Sequence, residues 1–142
     1  MKPPKLQTPL DTTHPWEVET EFGLAIKRYP SCGATHPAID AAIELRNTVA
    51  TSDIDAITIG VSQQTMSSRL YRSPTTELEA KFSLEFCVAH ALSRGRVNQA
   101  AFDGSAWKAP EVPALMEKVR IQVDDRVRHN SEWGQQSLFM RT

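Results

Sequence analysis

Residues 27–36 carry a high density of side chains that could do chemistry. The segment reads Lys-Arg-Tyr-Pro-Ser-Cys-Gly-Ala-Thr-His, so a cation, a phenol, a hydroxyl, a thiol and an imidazole lie within ten residues. Thr35 suits a helix N-cap and Pro37 suits a first turn, which predicts a helix beginning at the end of the segment. The free backbone N–H groups of a helix start favour an anion. We therefore look for a functional site in this segment, called here the 27–36 loop.

Length and composition limit the classes of protein to which the chain can belong. The chain has 142 residues, 40% of them hydrophobic and 23% charged, which is typical of one globular domain. A formal net charge of -1 argues against a nucleic-acid partner, because phosphate binding needs a surplus of Lys and Arg. No apolar run is long enough to span a membrane, and the N-terminus lacks the apolar core of a secretory signal.

The cysteines and histidines indicate neither a disulfide scaffold nor a metal site. Cys32 and Cys87 are far apart in sequence and form no CxxC pair, so we predict two free thiols in a reduced, cytoplasmic protein. The His and Cys residues have no recognised zinc spacing. The sequence therefore predicts no metal site.

Hydropathy patterns in the first half predict elements that flank the 27–36 loop. Residues 1–15 are rich in proline and predict an extended arm. Alternation over residues 22–26 predicts a short strand ending at Lys27. Apolar residues at helical spacing predict a helix over 36–50, and β-branched residues predict a strand over 54–61. Residues 63–76 are polar and predict a long loop.

The second half predicts a buried helix and a further helix and strand. Residues 77–86 alternate like a strand, but the following apolar run favours a buried helix over 77–94, with Gly95 as its C-terminal cap. A short helix is predicted over 109–119 and a strand over 121–123, with Val127 as the alternative end of that strand. Residues 129–142 show no periodicity, which predicts an irregular tail. Together these elements indicate an α+β domain, a small sheet with helices packed on it.

Two sequence blocks resemble signatures of one family. The 27–36 loop, followed by Ala-Ile-Asp-Ala-Ala, resembles the KxYPxCxxxH signature of the MmgE/PrpD family, which includes 2-methylcitrate dehydratase, cis-aconitate decarboxylase and iminodisuccinate epimerase. Residues 79–92 with Gly95-Arg-Val resemble the family's next signature helix. The resemblance covers about residues 16–125, whereas the sequence after Arg126 departs from the family and its usual closing strand is not evident.

The resemblance implies a domain that is only part of a larger enzyme. Family members are much longer and have a large helical domain. This chain resembles their smaller C-terminal α+β domain, which closes over the active site like a lid. The implied organisation is an arm at 1–15, the domain at 16–128 and the irregular tail at 129–142.

The resemblance also implies roles for residues of the 27–36 loop. Lys27 matches a lysine that faces substrate carboxylates, where an ammonium clamps a polycarboxylate; its other interpretation is a solvated surface lysine. Cys32 stands where decarboxylase-type relatives carry an active-site histidine, so Lys27 and Cys32 are the catalytic candidates; free cysteine is also a common small buried residue. The substrate-binding candidates are Lys27 together with Tyr29, Ser31 and His36. Tyr29 could instead fix the turn, and His36 could close the first helical turn.

The implied activity is cofactor-free lyase chemistry on a small di- or tricarboxylate, similar to that of 2-methylcitrate dehydratase. Such reactions need a base to remove an α-proton, which the helical domain supplies in the family, so the chain alone is expected to be inactive. The partner would be a helical domain on another chain or another copy in a homo-oligomer. The alternative is a non-catalytic remnant or regulatory partner that dimerises through an exposed apolar face. An unrelated α+β binding module is a third hypothesis, which the two ordered blocks disfavour.

Overall fold

The fold is an α+β domain, as the sequence predicts. The computed structural model describes residues 16, 19, 26–68, 71–103, 109–127 and 137–142. The predicted arm at 1–15 and most of the predicted strand at 22–26 lie outside these residues. The helices and strands of the described residues are α1 (His36–Arg46), β1 (Ala56–Val61), α2 (Gln63–Ser68), α3 (Glu77–Lys81), α4 (Leu84–Arg94), α5 (Glu111–Glu117), β2 (Val119–Val123) and β3 (Ser137–Arg141).

The sheet has three strands in the order β2-β1-β3. β1 pairs parallel with β2, with Ile57 opposite Val119, and antiparallel with β3, with Ile57 opposite Met140. Side chains alternate between the two faces of a strand, and Ile57 and Ile59 are fully buried while Phe139 is exposed. One face of the sheet therefore forms part of the core.

The strand β3 corrects the prediction of an irregular tail over 129–142 for residues 137–141, whereas residues 129–136 lie outside the described part of the chain. Residues 137–141 pair along β1 and supply the closing strand that was not evident in the sequence. The segment Ser-Leu-Phe-Met-Arg places three large apolar residues in a row, so no polar residue marks its solvent face. Its strand conformation depends on pairing with β1, which a local pattern does not reveal.

Helix α1 begins where predicted and ends four residues early. Thr35 occupies the N-cap position, although its side chain makes no capping hydrogen bond, and proline lies in the first turn. The helix ends at Arg46 rather than at residue 50 because the Thr48 hydroxyl and backbone N–H both donate to the Leu45 carbonyl, at 2.8 and 2.9 Å. This local hydrogen bonding competes with continued α-helix.

The segment 63–94 contains three helices where the sequence predicts one. The predicted loop over 63–76 begins with helix α2, which corrects that prediction, because the Ser62 hydroxyl accepts from the Thr65 N–H at 3.2 Å like an N-cap. The predicted helix over 77–94 is divided into α3 and α4. The division lies at Ser83, whose hydroxyl accepts from the Phe86 N–H at 3.2 Å and starts a new helix.

Helix α4 is the centre of the core. All its residues from Leu84 to Leu92 are buried, and it contacts α1, α5 and β2. Gly95 ends it with a left-handed backbone at φ 70°, which glycine adopts without a Cβ penalty. The predicted buried helix is therefore confirmed over Leu84–Arg94, together with its glycine cap.

Candidate active-site loop

The 27–36 loop is fixed to the end of helix α3 by one backbone hydrogen bond, and a second one closes a turn within the loop. The Cys32 N–H donates to the Lys81 carbonyl at 2.8 Å, and the Thr35 N–H donates to the Cys32 carbonyl at 2.9 Å. Gly33–Thr35 forms a single 3-10 turn that leads into α1. The two blocks that carry the family resemblance therefore meet in space at Cys32 and Lys81.

Tyr29 lies in the core and its hydroxyl is engaged. Its side chain is 7% exposed, and the hydroxyl donates to Asp40 Oδ1 at 2.5 Å. Burial and this carboxylate raise the pKa of Tyr29 to about 12. Arg28 pairs with the same carboxylate at 3.0 Å. The phenol thus ties the loop to α1, which favours the turn-fixing role over contact with substrate.

A buried hydroxyl pair closes the inner side of the loop. Ser31 Oγ and Thr35 Oγ1 lie 2.8 Å apart, and the Thr35 hydroxyl donates to the Cys32 carbonyl at 2.7 Å. The Cys87 thiol lies beneath them and donates to the Ala80 carbonyl at 3.7 Å. Burial raises the pKa of Cys87 to about 12, although hydrogen bonds from Thr35 and Ser31 lower it in part. Cys87 is therefore a neutral thiol of the core.

Lys27 is an exposed cation of the loop, as is Arg28, but the Arg28 guanidinium pairs with Asp40. The Lys27 side chain faces solvent, and its ammonium donates to the Ser31 carbonyl at 3.2 Å. An ammonium has three donors, so this contact leaves donors for a ligand. A hydrogen bond to the backbone also orients the flexible side chain, so less side-chain conformational entropy is lost when a ligand binds.

His36 is held as a neutral imidazole at the start of α1. Its ring packs edge-on against Tyr29, with the ring centroids 5.2 Å apart. Its Nε2 atom is buried and has no hydrogen-bond partner among the described residues. Burial lowers the pKa of His36, and the nearby Lys27 charge lowers it as well. The ring is half-buried with its Nε2 atom out of solvent, which favours the structural role over direct contact with substrate.

Cys32 lines a small apolar cavity beside the loop. The cavity has a volume of about 40 Å³, enough for a few water molecules, since one water needs roughly 10–15 Å³. Small-molecule sites are usually about 300–1,000 Å³, so this cavity does not hold a tricarboxylate by itself. The residues that line it are Cys32, Ala34, Thr35, Val61, Thr65, Phe82, Leu84 and Ile121.

Comparison with known families settles the assignment of the domain. The family model of the MmgE/PrpD C-terminal domain matches residues 29–140, which is most of the chain. The chain belongs to the MmgE/PrpD family. No curated protein gives a significant match to it.

The extent of this match refines the resemblance seen in the sequence. The MmgE/PrpD match continues to residue 140, so the prediction that the sequence departs from the family after Arg126 is wrong. The match reaches into β3, the strand that closes the sheet. It begins at Tyr29, so Lys27 lies two residues before it.

The predicted site residues of this MmgE/PrpD domain all lie in the 27–36 loop, and they differ in how far they are exposed to solvent. Lys27 is exposed and Cys32 half-buried, whereas Tyr29 and Ser31 are buried. The sequence does not reveal that the Asp40 carboxylate accepts a hydrogen bond from the Tyr29 hydroxyl. The two residues are 11 apart in sequence, and neither a tyrosine before proline nor an aspartate in the next helix indicates that they are in contact.

The described part of the chain contains neither a group of side chains placed to bind a metal ion nor a helix that could span a membrane. Among the described residues, no group of three His, Cys, Asp or Glu side chains is placed to hold a metal ion. No helix within the same part of the chain is long and apolar enough to cross a bilayer. Both cysteines are free thiols.

Proposed function

We propose that this MmgE/PrpD C-terminal domain supplies a carboxylate-binding loop to a lyase that acts on a small di- or tricarboxylate, in the manner of 2-methylcitrate dehydratase. The observation that carries the proposal is the exposed Lys27 ammonium, held in a loop whose Tyr29, Ser31 and Thr35 hydroxyls are already hydrogen-bonded. A fixed cation binds a substrate carboxylate and stabilises negative charge that develops as an α-proton leaves. The proposed reaction uses no cofactor.

The active site is completed by a helical domain on another chain. The cavity beside Cys32, of about 40 Å³, is too small for the substrate, so a second surface must form the rest of the pocket. Removal of an α-proton also needs a base, and the buried Nε2 of His36 is shielded from a ligand in the loop. We therefore assign the base to the helical domain, and we assign Lys27 and Cys32 to the lid.

Exposed apolar side chains next to the loop support a partner surface. Leu78 is 66% exposed and Phe82 is 39% exposed, and Phe82 also lines the cavity. Leu78 belongs to α3 and Phe82 caps its C-terminal end, and residues four apart lie on the same side of a helical turn. We call these two exposed side chains the Leu78/Phe82 patch. Burial of this patch against a helical domain would place that domain over Cys32.

The same patch supports the second candidate function, a non-catalytic remnant or regulatory partner that forms homodimers. Burial of a large apolar side chain stabilises association by roughly 1.5–3 kcal/mol. Sedimentation velocity of the whole chain separates the two candidates. A dimer that becomes a monomer in the Phe82→Ser variant favours the regulatory partner, and a monomeric wild type favours a patch reserved for a helical domain.

Citrate, a tricarboxylate, is a direct probe of the proposed loop. We expect citrate to shift the amide resonances of residues 27–36 saturably in ¹H–¹⁵N spectra, and the Lys27→Ala variant to bind at least about tenfold more weakly, as for loss of one charged hydrogen bond. Arg72→Ala is the matched control, because Arg72 is an exposed cation outside the loop. Equal citrate affinity of Lys27→Ala and wild type at the loop would overturn the proposal.

A further inference from the structure

A second cleft lies at the opposite end of helix α4 from the 27–36 loop. Its volume is about 410 Å³, within the usual range of small-molecule sites of roughly 300–1,000 Å³. Helix α4 has 11 residues and so is ~16 Å long at 1.5 Å per residue, which separates the cleft from the loop. The described residues that line it are His90, Arg94, Arg96, Asn98, Ala100, Ala101 and Ala109.

The charge at this cleft is positive. The described residues that line the cleft include two arginines and no carboxylate. Arg94 is paired with Glu111, just outside the lining, whereas Arg96 is exposed and makes no ion pair among the described residues. A positive cleft with one uncommitted guanidinium favours an oxyanion, which arginine binds with two parallel hydrogen bonds.

The carboxyl end of α4, which would otherwise repel an anion, is neutralised. Arg46 extends from α1, and its Nε donates to the Leu92 carbonyl at 2.9 Å. Its guanidinium also contacts the Ser93 carbonyl at 3.5 Å and lies against Gly95. The free carbonyls at the end of the helix thus have a cationic partner of their own, and Arg96 is left for a ligand.

Two neutral groups of the cleft are suited to the rest of such a ligand. Asn98 stands at the N-cap position of the 3-10 turn Gln99–Phe102 but makes no side-chain capping bond, so its amide is available. His90 Nδ1 lies 3.0 Å from the Arg96 carbonyl, and because a carbonyl only accepts, Nδ1 carries the proton. Burial lowers the pKa of His90, so the ring is neutral at pH 7 and its Nε2 is a hydrogen-bond acceptor.

We propose that this cleft binds a small oxyanion that also carries a hydroxyl donor, as hydrogen phosphate and hydroxycarboxylates do. The oxyanion pairs with Arg96 and Asn98, and the hydroxyl donates to His90. The alanines at 100, 101 and 109 leave space for the body of the ligand. This site is separate from the loop of the proposed function and does not depend on it.

Inorganic phosphate, citrate and sulfate test the proposal on the whole chain at constant ionic strength. We expect phosphate or citrate to shift the amide resonances of Arg96 and Asn98 saturably in ¹H–¹⁵N spectra, and the probe that binds more tightly identifies the ligand as a phosphate or a hydroxycarboxylate. Sulfate has no hydroxyl at pH 7 and should bind at least about tenfold more weakly, as for loss of one hydrogen bond to His90. Sulfate affinity equal to that of both other probes would overturn the assignment.

The Arg96→Ala variant should lose at least about tenfold in affinity for the tighter probe, while Arg72→Ala should match wild type. Absence of any saturable shift at Arg96 and Asn98, or equal affinity in Arg96→Ala, would overturn the proposal. The Lys27→Ala variant should leave the shifts at the cleft unchanged. Loss of ligand binding at the cleft is therefore distinguishable from loss of citrate binding at the loop.

Discussion

The hydroxyl of Tyr29 donates to Asp40 Oδ1 at 2.5 Å and joins the 27–36 loop to helix α1. The acceptor carboxylate also pairs with Arg28 at 3.0 Å, so one aspartate holds two side chains of the loop. Asp40 is a residue of α1, and the loop therefore moves with that helix. This link keeps Lys27, two residues before Tyr29, at a fixed place on the surface.

Replacement of Tyr29 by Phe should lower the free energy of unfolding by about 1.5 kcal/mol, the value of a hydrogen bond to a charged acceptor. The ring stays buried, so the loss reports the hydroxyl alone. Urea unfolding followed by circular dichroism measures it. Tyr71→Phe is the matched control, because Tyr71 is exposed, and it should change stability by less than about 0.5 kcal/mol. Equal stability of the two variants would contradict the role of the Tyr29–Asp40 bond.

Tyr29 should also make stability depend on alkaline pH. Its pKa is raised in the folded state from 10.0 to about 12, so its contribution is complete below pH 10 and is lost as the pH rises towards 12. The Tyr71→Phe variant leaves Tyr29 as the sole tyrosine, and its absorbance at 295 nm should titrate near pH 12. A midpoint near pH 10 in the folded variant would contradict the buried hydrogen bond.

His36 should titrate below its usual range. Burial lowers its pKa from 6.5, so it favours the folded state fully above pH 6.5 and this contribution is lost as the pH falls through the folded-state pKa. The Cε1 proton resonance of His36, assigned with the His36→Gln variant, should have a midpoint below 6.5. A midpoint at or above 6.5 would show an imidazole that is solvated or paired with an acid, contrary to the structure.

The two thiols should differ strongly in reactivity. A rise in pKa from 9.0 to about 12 lowers the thiolate fraction of Cys87 at pH 8 by about 1,000-fold, and the thiolate is the reactive form. Cys87 is also fully buried, whereas Cys32 is half-buried. A disulfide reagent such as Ellman's should therefore label one thiol per folded chain quickly, and none in Cys32→Ser. Rapid labelling of folded Cys32→Ser would contradict the burial of Cys87.

The sequence predicts the elements whose signals are local. The start of α1 at His36, the strand near 54–61 and the glycine that ends α4 all follow from caps, proline and periodicity. Strand β3 does not, because its conformation depends on pairing with β1, about 80 residues earlier in the chain. The break at Ser83 was missed because an apolar run hides a serine that caps a new helix.

The same distinction applies to the candidate site. Motif resemblance places the loop, but burial decides which of its residues face solvent, and burial depends on contacts with α1 and α4. Tyr29 and Ser31 therefore appear as ligand candidates in the sequence and as buried supports in the structure. Lys27 keeps the exposure that its proposed role requires.

Turnover of 2-methylcitrate and cis-aconitate tests the central claim most directly, with the purified chain alone and after addition of a separately expressed MmgE/PrpD helical domain. We predict no turnover by the folded chain alone and turnover in the mixture. In the Lys27→Ala mixture, kcat/KM should fall by about 100-fold or more, as for loss of one group that stabilises a developing anion. Turnover by the chain alone, an inactive mixture of folded domains, or a Lys27→Ala mixture as active as wild type would contradict the account.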